Sequence, residues 1–199
     1  MGDLKLSSDH PDATNGLVVA LEEAADVVWQ KKASNVGDWA VTNLNYHYLQ
    51  DTERMCGYSN TVALKAYNAS CASENKVLAA DCAPDIKLGS TTSGWYLPSY
   101  AEWNVLYNYE KSTRASLREN GAIAKKIIAA GGKPFCMTQH HYDTPDGVQD
   151  APSYWASTET SGYETYAEWA TCMHFLHGGQ SNKFKHTKTY YIARYIFAF

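Results

Sequence analysis

The spacing of apolar positions changes character along this chain, and each change predicts an element. Gly16-Leu17-Val18-Val19-Ala20-Leu21 is a short continuous apolar run that reads as a buried strand. Ala25 to Gln30 suits a second strand, although Leu21-Glu22-Glu23-Ala24-Ala25 also suits a helix, and periodicity does not separate the two. Residues 1–15 are polar and turn-rich, a loose leader or first hairpin arm. From Asn43 to Tyr58 aromatic and polar residues mix without a period, which predicts irregular structure. Ser59-Asn60-Thr61 then offers an N-cap for a helix through about Tyr67, with Val62, Ala66 and Tyr67 on one face. Residues 68–94 carry the Gly, Pro and Ser/Thr chemistry of loops.

The clearest local signal is Ser99-Tyr100-Ala101-Glu102, a capping box directly after Pro98. Trp103, Leu106 and Tyr107 follow at i, i+3 and i+4, the apolar stripe of an amphipathic helix. A second main helix is expected from about Ser116 to Ala130, with Ile123, Ile127 and Ala130 on one face and Gly131-Gly132 as its left-handed stop. Residues 133–153 are loop-like. Tyr154 to Ser157 and Tyr190 to Phe199 have strand composition. The latter is apolar on both faces apart from Arg194, which predicts a central strand.

Composition adds further constraints. At 199 residues and 45% hydrophobic, the chain is long and apolar enough for one domain with a proper core. Fifteen Tyr and six Trp against five Phe favour surfaces that bind while staying hydrated, although strand formation alone also selects such residues. A net charge of −4 without a basic cluster argues against a nucleic-acid partner. No apolar run approaches the roughly 18 residues of a membrane span. Met1-Gly2-Asp3-Leu4-Lys5 is no signal peptide. The cysteines are Cys56, Cys71, Cys82, Cys136 and Cys172. Their odd number and the lack of a C-x-x-C pair speak against a dense disulfide framework or a structural zinc site. A single Cys71–Cys82 bridge stands against five free thiols. Asn68-Ala69-Ser70 matches a glycosylation sequon, a pattern too short to carry weight alone.

The run between the two C-terminal strand signals has the least ordinary composition. With a strand's period of two, Met173 and Phe175 point one way and Cys172, His174 and Leu176 the other. The first set suits a core. The second, followed by His177, is no coherent surface type. Beyond Gly178-Gly179, Phe184 stands isolated among polar neighbours on a lysine-rich stretch, and such a residue needs a partner or a pocket. The plainer alternative is a β-hairpin whose odd residues pack inward. Segment 160–189 is therefore expected to be a binding surface, with Tyr163, Tyr166 and Trp169 as aromatic anchors. Cys172, His174, Leu176, His177, Ser181, Phe184, His186, Thr187 and Thr189 would set its specificity.

Several motifs together carry a resemblance. Gly94-Trp95-Tyr96-Leu97-Pro98-Ser99-x-x-Glu102-Trp103, Gly131-Gly132, Tyr154-Trp155-Ala-Ser-Thr-Glu159, Phe175-x-x-Gly178 and Arg194 in an aromatic strand are similar to the Fib-succ-major-like group of Bacteroidetes surface and phage proteins. That resemblance covers about residues 16–199. It implies an α+β, C-type lectin-like fold with two main helices, a small twisted antiparallel sheet and long loops. It also points to the variable proteins of diversity-generating retroelements, whose C-terminal segment is diversified to alter ligand binding. Cys, His, Leu, Ser, Phe and Thr at the specificity positions suit such sites, with Gly178, Tyr190, Tyr191 and Arg194 as constant frame. The expected function is ligand binding, with a protein or glycan on another cell or surface as partner, no cofactor and no reaction. The expected location is extracellular, at the cell surface or on a phage virion. A surface or pilus-associated adhesin of fixed specificity is the alternative.

Enzymatic readings find less support. Leu97-Pro98-Ser99-x-x-Glu102-Trp103 resembles the helix start of formylglycine-generating enzymes, but their Gly-Asn-x-x-Glu-Trp segment and paired C-terminal cysteines are missing. His140-His141-x-Asp143, or His174, His177 and His186, offer metal donors, with a solvated loop as the plainer reading. The calcium signature of sugar-binding lectins is absent, and no Ser-His-Asp spacing or phosphate-cradling glycine motif stands out.

Overall fold

A computed structural model describes residues 2–84, 86, 88–116, 119–135, 153–160, 168–176, 178–186 and 191–199. Its spine is strand β2, Ser153–Glu159, in which every residue is buried. Three indoles fasten the chain around it. Trp29 Nε1 donates to the Ala156 carbonyl (2.9 Å), Trp103 Nε1 to that of Trp155 (3.0 Å), and Trp155 Nε1 to that of Val27 (2.6 Å). Each buries a large apolar body while its one donor stays satisfied.

The remaining elements are α1 (Leu4–Asp9), β1 (Leu17–Val19), α2 (Val36–Leu44), α3 (Gly57–Ser70), α4 (Tyr100–Ser112), α5 (Ala122–Ala129), β3 (Trp169–His174), β4 (Gln180–Phe184), β5 (Tyr191–Ile192) and β6 (Ile196–Ala198). The main sheet runs β4-β3-β2-β5, antiparallel except that β5 lies parallel to β2. A separate two-stranded ribbon joins β1 to β6. Two apolar clusters flank the main sheet. Trp29, Leu64, Trp155, Cys172, Tyr191 and Tyr195 belong to one. Trp103, Phe135, Tyr154, Met173, Phe175 and Ile192 belong to the other. Neighbouring residues along β2, β3 and β5 thus face opposite cores, which explains why these strands are apolar on both sides.

The Ser99–Glu102 capping box forms as the sequence predicts and opens α4. Gly131 takes a left-handed conformation (φ 79°) just beyond α5. The second main helix is shorter than expected, because Glu110 fixes its start: the carboxylate accepts from Gly121 (2.6 Å), Ile123 (2.9 Å) and Ala124 (3.2 Å) backbone N–H groups.

Other expectations are corrected. There are five α-helices among the described residues rather than two main ones, and α3 is the longest at 14 residues. Its start is Gly57 rather than Ser59, because Gly57 N donates to the buried Glu102 carboxylate (3.1 Å). The leader holds α1, which Asp3 ties to α3 by accepting from Ser59 N (2.8 Å) and the Ser59 hydroxyl. The irregular stretch from Asn43 begins inside α2. β1 is only partly buried. Residues 24–30 make isolated bridges rather than a strand.

The C-terminal stretch is two short strands, neither of them central. Its burial comes from loops instead: Arg194 lies between them and donates Nε to the Ala20 carbonyl (2.9 Å) and Nη2 to that of Leu21 (3.0 Å). Cys56, Cys71, Cys82 and Cys172 are free thiols, so the Cys71–Cys82 bridge is not formed. Asn68 is buried, donating to the Val77 carbonyl (3.0 Å) and Asp81 (2.9 Å), and is no accessible acceptor for a glycan in the folded state. No described helix is long and apolar enough to cross a membrane.

Candidate binding surface

β4 lies at one end of the main sheet and pairs with β3 in a register that sets Trp169 opposite Phe184. Their ring centroids are 4.3 Å apart with planes tilted by 38°, and His186 extends the row at 5.4 Å from Phe184. Phe184 is 40% exposed, His186 is exposed and Trp169 is half-buried. Phe184 is therefore not isolated, as its polar neighbours in sequence suggest. It is the middle member of an aromatic row whose partners are distant in sequence on one side and next but one on the other.

Lys185 turns that row outward. Lys185 stands in the turn just past β4 with its side chain buried, while Phe184 before it and His186 after it are exposed. Lys185 is fully buried; its Nζ donates to the Glu159 carboxylate and to the Ser34 carbonyl, and lies 4.8 Å from the Trp29 ring centroid. The backbone is held as well, with Lys185 N donating to Glu168 O (2.8 Å) and Gln30 N to Lys185 O (3.0 Å). Burial lowers the Lys185 pKa, and the Glu159 charge opposes that shift. Glu159 is itself buried and accepts from Val36 N (3.0 Å), Gly37 N (2.6 Å) and Gln50 Nε2 (3.1 Å). The first two open α2, where the helix dipole favours a carboxylate. Gly37 permits this contact, since a Cβ there would stand 2.7 Å from Glu159 Oε2.

The other residues of the expected surface divide sharply. Cys172 is fully buried with Sγ donating to Ser181 O (3.3 Å), and Leu176 is buried. Neither side chain is displayed: the second face of β3 meets a core of its own at Cys172, and Leu176 is buried in the turn beyond the strand. His174 and Ser181 are half-buried. Ser181 lies three residues before Phe184, roughly 10 Å along the strand. Tyr163, Tyr166, His177, Thr187 and Thr189 lie outside the described residues, as do Cys136 and the His140-His141-x-Asp143 motif. Among the described residues, no three His, Cys, Asp or Glu side chains group as metal ligands. What the described residues present here is three rings, with the charges of Lys185 and Glu159 sealed beneath them.

Neither protein-family models nor curated proteins match the chain. Among solved structures it is similar to the crystal structure of a fimbrial protein from Bacteroides ovatus ATCC 8483, with a TM-score of 0.66 and 21% identity. The similarity covers 98% of this chain and 38% of that one, so this chain spans well under half the length of the fimbrial protein. The mixed α+β fold is thus one that a solved structure shares.

Proposed function

We propose that this chain is the ligand-binding domain of a bacterial surface adhesin of the fimbria-associated kind, with a C-type lectin-like architecture. It acts by contact and performs no reaction; its ligand is a protein or glycan on another cell or surface. The observation that carries the reading is the row Trp169–Phe184–His186, presented to solvent by a buried ion pair at the end of the sheet. Exposed aromatic surface supplies much of the energy of recognition at little cost in conformational entropy. The likeness to a fimbrial protein supports the setting.

Glycan and protein arrays probed with the wild type and with Phe184→Ala/His186→Ala test this. The expected result is a hit that the double variant loses by about tenfold or more in affinity, an effect of roughly 1.4 kcal/mol or more. Thermal stability should stay within about 0.5 kcal/mol, since both side chains are exposed. A hit that both proteins bind equally would move the binding site elsewhere.

A finer form of the reading has the displayed positions diversified by a retroelement. The alternation of exposed Phe184 and His186 with buried Lys185 favours it, because displayed side chains can vary while the anchor stays. Sequencing the locus should then reveal a near-identical template repeat with adenines at the displayed codons. A locus without such a repeat leaves the fixed-specificity adhesin.

A further inference from the structure

Among the described residues, the β1–β6 ribbon has one closed edge and one open edge. On β6, Ile196 exchanges backbone bonds with Tyr96 (2.9 and 3.0 Å), and Ser93 N donates to Ala198 O (3.0 Å). On β1, the register and the bonds Ala20 N to Tyr195 O (2.9 Å) and Phe199 N to Gly16 O (3.2 Å) make Val18 the residue that bonds β6. Antiparallel pairing alternates, so the N–H and C=O groups of Leu17 and Val19 point away from β6. No described residue bonds them. Proteins blunt such edges with charge, proline or a covering element, and Leu17-Val18-Val19 has neither charge nor proline.

Beside this edge runs a groove of about 330 Å³, between β1 and the helices α4 and α5. Its walls include Leu21, Leu106, Tyr109 and Ile123, of which Leu21 is 40% and Tyr109 56% exposed. Lys126 is the one charged residue among its described walls. Apolar walls beside unpaired backbone groups match an extended strand, whose main chain would bond the edge while alternate side chains enter the groove. The cation fits an acidic residue in that strand. It also disfavours a second copy of this chain, because two such grooves face to face would oppose lysine to lysine.

We propose that this edge and groove bind an extended peptide segment of a separate polypeptide, added as a strand to β1 and alternating apolar with acidic residues. The surface is distinct from the aromatic row, which lies on the other sheet.

The test is selection of a displayed library of nine-residue peptides on the full chain, counter-selected on Val19→Pro. Proline at 19 removes an outward N–H without touching the bonds to β6, as an edge position tolerates. The expected outcome is enrichment of peptides with alternating apolar and acidic residues. Lys126→Glu should weaken the best of them about tenfold, the scale of a lost charge pair. N-methylation of the peptide amides that face Leu17 and Val19 should weaken wild-type binding about as much, the scale of a lost hydrogen bond. That second measurement stands even where Val19→Pro fails to fold. Three results would each overturn the proposal: no enrichment, enriched peptides indifferent to N-methylation, or a sedimenting dimer that Val19→Pro abolishes, which would give the edge to a second copy.

Discussion

The ammonium of Lys185 lies between a carboxylate and an indole, and what it holds is the direction of its neighbours. Replacing it by methionine keeps the volume but leaves Glu159 buried without its cation. Removing one partner of a buried pair typically costs 3–5 kcal/mol, and the three other donors to Glu159 place the expected loss near the lower end, about 3 kcal/mol. Urea unfolding of Lys185→Met checks the figure. Glu102 offers a pH test. Burial pushes its carboxyl up to about 7, against the Ser99 and Tyr96 bonds that favour the charged form. A folded-state value above the ordinary 4.5 means the native state holds this proton more tightly than the unfolded chain. The stabilisation is complete below about pH 4.5 and lost as pH rises through about 7. From pH 4.5 to 8 the wild type should lose roughly 3 kcal/mol more than Glu102→Gln, read from urea midpoints at each pH. Glu102 was legible in sequence as a capping residue, because its partner stands three positions away. Lys185 was not: it looks like Lys183 beside it, and only the distant Glu159 makes it an anchor.

Among elements, the β3–β4 hairpin shows how a turn is fitted to a helix. Gly178 is left-handed (φ 73°), and a Cβ there would stand 2.1 Å from the Tyr107 hydroxyl on α4. Strained backbone and overpacking act together, so Gly178→Ala should cost about 3 kcal/mol in chemical denaturation. Among the described residues, the same hydroxyl is buried without a hydrogen-bond partner. Tyr107→Phe should therefore stabilise the fold, by about 1 kcal/mol in the same assay. Helix α4 could be read from the chain because cap and stripe are local. Helix α2 has a local cap as well, Asn35 accepting from Asp38 N (2.9 Å), but the part of its start held by Glu159, more than a hundred residues away, is not written in the local sequence. The C-terminal strands misled for the same reason: two-sided burial comes from loops and two cores, while sequence records only that both faces are apolar.

At the scale of the whole molecule, α1 is held by polar ties rather than by a core. Asp3 caps α1 through Lys5 N (3.1 Å) and Leu6 N (3.2 Å) while also bonding Ser59, and Tyr58 donates to Asp9 (2.9 Å). No residue within α1 is buried. Asp3→Ala should cost about 1 kcal/mol overall. Hydrogen exchange should then report lost protection over α1 while β2 and β3 stay protected. That the chain forms an α+β fold was readable from its mixture of periods. The pairing of the two sheets was not, because it depends on contacts between the ends of the sequence.

The ribbon of β1 with β6 joins Leu17 to Ala198, so all the chain between them is synthesised after one partner and before the other. At 5–20 residues per second, a ribosome needs on the order of ten to forty seconds to travel from one to the other. Throughout that interval β1 has no strand on either side, and its Leu-Val-Val run is available to whatever waits at the exit tunnel. Holding factors that recognise short apolar segments should engage β1 as it emerges and release it only when β6 arrives.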